Sequence, residues 1–78
     1  MTNIALGILL ALHEHKEIHG TEELAHLLNS RDHYVFTNAL MLSKYGLIEM
    51  VISPGGRGNK TIYRDRGVIK VEPHDSNQ

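Results

Sequence analysis

The sequence contains no cysteine among its 78 residues, which excludes disulfide bonds and metal sites built on thiolates. Its longest apolar run, residues 4–12, is far shorter than the ~20 residues that a membrane-spanning helix needs. No basic stretch typical of a signal peptide stands before this run. We therefore expect a cytoplasmic protein without a membrane span.

Catalytic motifs are also missing from the sequence. No serine lies in a Gly-x-Ser-x-Gly pattern, and the glycines of residues 55–58 lack the spacing of a phosphate-binding loop. His15 and His19 have the four-residue spacing of paired metal ligands on a helix, but Gly20 and an expected break near Ile18 argue against a continuous helix there. We predict that the protein is not an enzyme and has no metal and no cofactor. A histidine metal site or a pH-sensitive surface is the less favoured alternative.

Charge is unevenly distributed along a chain that is long enough for one domain. The formal net charge is −1, and 41% of the residues are hydrophobic, as in ordinary globular proteins. Residues 1–30 carry a net charge of −3, residues 31–67 carry +3, and the residues after them carry −1. This asymmetry predicts an electropositive side formed by the middle of the chain. The alternative is an ordinary mixed surface, because +3 is a small excess.

Two short helices joined by a tight turn are predicted for residues 21–48. Thr21 is the expected N-cap of the first, and two glutamates follow where the helix dipole favours carboxylates. Asn29 suits the left-handed conformation that ends a helix. The buried side of the second helix is predicted from apolar residues at i, i+4 and i+7, which are Val35, Ala39 and Leu42.

A preceding helix is expected at residues 3–16. Residues 4–12 would make it apolar on every side, so it must be covered on more than one side. The two following helices cover one face, and the other face suggests a second copy of the chain. The predicted dimer-interface residues are Ile4, Leu6, Leu9 and Leu12. The alternative is that this helix lies wholly within the monomer core.

The pattern changes to β-strand after Gly46. Residues 47–52 and 61–64 are rich in β-formers, and residues 53–60 between them contain three glycines and one proline. This pattern predicts a β-hairpin with Arg57 and Lys60 near its tip and Arg64 on the return strand. A plain surface hairpin with solvated charges is the alternative. Residues 73–78 are expected to form a polar C-terminal tail.

One set of residues in this region matches a known family. The set consists of Thr21, the run Glu23-Leu24-Ala25, Leu28, the turn Asn29-Ser30-Arg31 and the closing Gly46-Leu47-Ile48-Glu49. In these residues, and over residues 4–71, the chain resembles the winged helix-turn-helix DNA-binding domains of prokaryotic transcriptional regulators. Asn29 replaces the usual glycine of the turn, and Ser30 stands where an apolar residue commonly fills the core.

The resemblance implies an α+β fold for residues 1–72, with three helices followed by a β-hairpin wing and a short strand near Ile18 that pairs with the hairpin. It also implies a DNA-binding transcriptional regulator that acts as a homodimer on double-stranded DNA. Helix 31–45 would enter the major groove, and wing tip 53–60 would contact the backbone or the minor groove. The expected DNA-binding residues are Arg31, His33, Tyr34, Thr37, Lys44, Arg57, Lys60 and Arg64.

A second hypothesis is a winged helix that docks on another protein without sequence-specific DNA binding. The basic wing favours DNA, whereas the outward side of helix 31–45 is poor in the Arg, Asn and Gln residues that read bases. Phe36 and Leu40, one turn apart on its flank, are predicted to belong to the core.

Overall fold

The computed structural model describes residues 3–52 and 61–69. Within these ranges the chain forms a small α+β domain with three helices and a three-stranded antiparallel sheet. The elements, in chain order, are α1 (Ile4–His15), β1 (Glu17–His19), α2 (Thr21–Leu28), α3 (Asp32–Lys44), β2 (Ile48–Val51) and β3 (Ile62–Asp65). The predicted hairpin tip with Arg57 and Lys60 lies outside the described residues, and so does the predicted tail 73–78.

Helix α1 is closed at both ends by local hydrogen bonds. The side-chain oxygen of Asn3 accepts a hydrogen bond from the Leu6 amide at 3.0 Å, which satisfies one free N–H of the first turn. At the other end Lys16 turns the chain at a φ of 70°, and its amide donates to the Leu12 carbonyl at 2.8 Å. The helix therefore lies one residue inside each predicted limit.

Helix α2 begins differently from the prediction. Gly20, at a φ of 97°, is the N-cap, so Thr21 is the first helical residue and not the cap. The backbone conformation of Gly20 is one that side chains rarely adopt, which suits glycine to this corner between β1 and α2. At the other end Asn29 stops the helix in the left-handed conformation, with a φ of 54°, as its residue type predicts.

The sheet has the strand order β1-β3-β2, so the last strand of the chain lies in its middle. Tyr63 of β3 pairs with Ile18 of β1 on one side and with Met50 of β2 on the other. This arrangement confirms the strand expected near Ile18 and its pairing with the strand that follows residue 60.

The hydrophobic core lies between the helices and one face of the sheet. Val35, Ala39 and Leu42 are buried on α3, as their helical spacing predicts. In β1 and β2 the more buried and the exposed residues alternate, because successive side chains of a strand point to opposite faces, and in β3 Tyr63 is the buried residue. The largest fully buried side chains are Tyr63, Ile8, Leu12, Leu24, Ile48 and Val35.

The hydroxyl of Tyr63 connects the middle strand to the start of α2. Its side chain has no exposed surface, and its hydroxyl oxygen lies 2.6 Å from the Thr21 hydroxyl oxygen. Burial raises the pKa of the Tyr63 phenol, although the hydrogen bond to Thr21 acts in the opposite direction. The phenol therefore stays neutral and hydrogen-bonded, and Thr21 uses its hydroxyl for this contact.

We expect Tyr63→Phe to lower the free energy of unfolding by about 0.5–1.5 kcal/mol, because it removes one hydrogen bond and keeps the buried ring. Urea denaturation measures the loss. Thr21→Val is the matched change at the other end of the bond. The double variant should lose less than the two single variants combined, because both remove the same interaction. Strictly additive losses would contradict this assignment.

Candidate nucleic-acid interface

Helix α3 is buried on one side and exposed on the other. The helix ends at Lys44, and Arg31 is its N-cap residue, although no side-chain hydrogen bond forms the cap. All five DNA-contact residues predicted for this segment are exposed in the structure, and they are Arg31, His33, Tyr34, Thr37 and Lys44. The first and the last of them place one positive charge at each end of the helix. Asp32 in the first turn places a negative charge beside Arg31.

An aromatic pair stands at the start of this exposed side. The rings of His33 and Tyr34 have centroids 4.3 Å apart and are tilted by 39°. Half of the Tyr34 surface is exposed, at 50%. Residues 31–34 are therefore exposed without interruption and offer polar and aromatic groups to a ligand.

The middle of the exposed side is apolar, which differs from the prediction. Leu40 is 44% exposed and Met41 is 41% exposed, whereas Leu40 was expected in the core. Leu40 follows the buried Ala39 by about 100° around the helix, so it turns away from the surface that packs on the core. Phe36, its predicted companion, is partly buried.

Two polar side chains of α3 are hydrogen-bonded to the backbone of their own helix. The Thr37 hydroxyl donates to the His33 carbonyl at 2.8 Å, and the Asn38 side-chain amide donates to the Tyr34 carbonyl at 2.8 Å. Both bonds reach back one turn, which is a common alternative to solvent for such residues. The second and third turns of α3 therefore offer fewer hydrogen-bond donors than their sequence suggests.

Arg64 is placed between two carboxylates and does not fit its predicted role in DNA contact. Its Nε donates to Glu17 at 3.0 Å, and its Nη1 lies 3.8 Å from a carboxylate oxygen of Glu49. The strand register sets all three residues directly opposite one another across the sheet. A DNA phosphate at Arg64 would lie near two carboxylates and only one guanidinium group. Arg64 is therefore not part of the candidate interface.

Glu17 has a further partner in His19, whose Nε2 lies 2.6 Å from the carboxylate. The hydrogen bonds from His19 and from Arg64, in that order, lower the pKa of Glu17 below its usual value. An acid with a lowered pKa stabilises the fold above its unfolded pKa. That stabilisation disappears as the pH falls through the folded pKa.

We expect Glu17→Gln to destabilise the domain slightly at neutral pH, because the row Glu17–Arg64–Glu49 loses a charge on an exposed sheet face. The difference from the unmodified chain should shrink below the ordinary glutamate pKa of 4.5 and vanish once the native carboxyl is protonated. Urea midpoints at several pH values measure this. Glu14→Gln, at an exposed site on α1, is the control. A difference that did not depend on pH would contradict the ion-pair assignment.

Helix α1 exposes less apolar surface than its sequence suggests. Leu12 has no exposed surface, so it belongs to the monomer core and cannot serve the predicted dimer interface. Ile4 and Leu9 are partly buried against the same core. Leu6 is 49% exposed, and so is Leu10, which was not among the predicted interface residues. Burial depends on the packing of α1 against α2, α3 and the sheet, which the apolar run does not reveal.

The histidines do not form a metal cluster in the part of the chain that the structure describes. His15 ends α1, whereas His19 belongs to β1, so the predicted break between them is confirmed. A surface pocket beside the start of α2 is lined by His19, Gly20, Glu22, Glu23 and His26. Within residues 3–52 and 61–69, no three His, Asp or Glu side chains are arranged to hold a metal ion.

Comparison of the chain with known proteins gives no further information about its function. No family model, curated protein or solved structure matches the chain. Among the described helices, none is long and apolar enough to cross a membrane. Within the described residues, the chain is a small α+β domain in which α3 has an exposed face, with Lys44 in its last turn and the exposed Arg31 just before its first residue.

Proposed function

We propose that the chain is a winged helix-turn-helix domain that binds double-stranded DNA as a homodimer and regulates transcription in the cytoplasm. The element order supports this proposal, because α2 and α3 follow each other across a three-residue turn, residues 29–31. The pairing of β1 with β3 supports it as well, since the family resemblance implies that pairing.

The observation that carries the proposal is the exposed face of α3, with Lys44 in its last turn and the exposed Arg31 immediately before its first residue. Three buried residues hold the opposite face in the core, so the exposed face belongs to a rigid element. A 13-residue helix is about 20 Å long, and the major groove of B-DNA, about 12 Å wide, admits a helix. Arg31 and Lys44 are therefore too far apart to contact the same base pair, and each would contact a different part of the DNA.

Arg31 is assigned to base reading and Lys44 to phosphate. Arg31 stands at the helix N-terminus, the part that helix-turn-helix proteins present to base edges, and its guanidinium matches the two acceptors of guanine. Lys44, a point charge in the last turn, suits the backbone. Arg57 and Lys60 are proposed, from the sequence alone, as further contacts to the DNA backbone. Arg64 is left out because Glu17 and Glu49 flank it.

We expect Arg31→Ala to cost ~1–3 kcal/mol of binding free energy on the preferred site and to relax the base preference at one position. Site selection from random DNA, followed by competition binding, measures both effects. Arg64→Ala is the matched control, because it also removes one arginine but one whose charge is already paired with carboxylates. Equal losses for the two variants, with site preference unchanged, would contradict the base-reading role of Arg31.

The homodimer part of the proposal uses Leu6 and Leu10, which lie one turn apart on the outer side of α1. Gly7 lies toward α2, since an added Cβ there would be 3.1 Å from the Leu28 side chain. That side of α1 is therefore covered within the monomer. The exposed pair of leucines is what remains for a second copy.

We expect Leu6→Lys combined with Leu10→Lys to shift the mass measured by light scattering from dimer toward monomer, because the change buries charge in the contact. Leu27→Lys is the control, as Leu27 is comparably exposed, at 45%, but lies on α2. An unmodified chain that is monomeric at high micromolar concentration would contradict the dimer.

A protein-docking role is the second candidate, and the exposed Leu40 and Met41 favour it. In that case Tyr34→Ala and Met41→Ala would weaken binding to the partner protein, as apolar and aromatic anchors usually do. Arg31→Ala would then leave DNA association unchanged. Assaying these three variants against the same DNA separates the two functions.

A further inference from the structure

The middle of the exposed α3 face forms one continuous apolar patch, which we call the α3 patch and define as Thr37, Leu40 and Met41. Residues spaced i, i+3 and i+4 are neighbours on a helix surface, so the three side chains adjoin. Leu40 and Met41 keep 44% and 41% of their surfaces exposed, and Thr37 is exposed as well. The patch is thus available to a ligand.

Thr37 contributes to this patch through its methyl group more than through its hydroxyl. The hydroxyl proton is donated to the His33 carbonyl at 2.8 Å. A base acceptor at this position would have to displace that bond. The side-chain amide of the neighbouring Asn38 likewise donates a hydrogen bond to the Tyr34 carbonyl. The patch therefore suits van der Waals contact better than hydrogen bonding to base edges.

The charges beside the patch indicate a nucleic-acid ligand. Lys44 follows Leu40 by four residues and Met41 by three, so it lies one turn away on the same side of the helix. Arg31 stands at the opposite end. Asp32 offsets the charge of Arg31, so Lys44 is the cation that accompanies the patch. A small apolar patch with a cation one turn away matches a DNA groove, in which apolar base substituents lie between two rows of phosphates.

We infer that the α3 patch recognises thymine methyl groups in the major groove. This inference rests on the proposed DNA-binding function. The C5 methyl of thymine is the apolar group that the standard bases present in that groove. The span from Thr37 to Met41 is about 6 Å along the helix axis, and successive base pairs are 3.4 Å apart, so the patch covers one or two thymines.

The test uses the DNA site selected by the protein itself. Each thymine of that site is replaced in turn by deoxyuridine, which differs only in lacking the methyl group. Affinities are compared by fluorescence anisotropy at one fixed salt concentration. We expect a loss of roughly fourfold at one or two adjacent thymines, the effect of withdrawing one methyl-sized group from an apolar contact.

Two substitutions at Thr37 separate its methyl group from its hydroxyl. Thr37→Val keeps a methyl group and removes the hydroxyl, whereas Thr37→Ser keeps the hydroxyl and removes the methyl group. Helix propensities of Ser, Thr and Val are close, so both variants should stay folded, which circular dichroism checks. We expect the valine variant to retain the preference for thymine over deoxyuridine and the serine variant to lose it at one position.

The outcomes distinguish this inference from the proposed function. A chain that selects a DNA site but binds every deoxyuridine version equally well overturns methyl recognition and leaves DNA binding in place. A serine variant that keeps the preference while the valine variant loses it also overturns the inference, because the hydroxyl would then be the contacting group. A chain that binds no DNA overturns the inference and the proposed function together.

Discussion

The position of Tyr63 in the middle strand is the constraint on which the rest of the domain depends. Its backbone pairs with β1 on one side and β2 on the other, and its ring fills the core. Its hydroxyl reaches Thr21, 42 residues earlier, at the start of α2. Since β1 has only three residues, it needs β3 as a partner, and the corner that leads into α2 depends on that pairing.

The same pairing decides which charges remain available for a ligand. The strand register places Arg64 opposite both Glu17 and Glu49. These carboxylates offset the positive charge of Arg64, which is part of the net charge of +3 on residues 31–67. The positive surface among the described residues is therefore narrower than the net charge of residues 31–67 suggests. The exposed lysines and arginines among the described residues are Lys16, Arg31, Lys44 and Arg66, and Asp32 follows Arg31 while Asp65 lies 3.8 Å from Lys16.

Packing around α1 shows how a small domain covers an apolar helix. The helix contacts both other helices and the sheet, which accounts for the burial of Ile8 and Leu12. Of the predicted interface residues only Leu6 is largely exposed, and Leu10, which was not predicted, is exposed to the same extent. Packing within the monomer therefore accounts for Leu12 and for part of the surfaces of Ile4 and Leu9, and it leaves Leu6 and Leu10 exposed.

Local chemistry was enough to predict several elements from the sequence. Helical spacing predicted the buried side of α3, and the tolerance of Asn29 for the left-handed conformation predicted the end of α2. Tertiary structure alone decided that Leu12 is buried, that Leu40 is exposed and that Arg64 is paired. Each of these depends on residues far along the chain or on which side of a helix meets the core. Periodicity describes one element at a time, and it contains no information about the register and packing that bring such residues together.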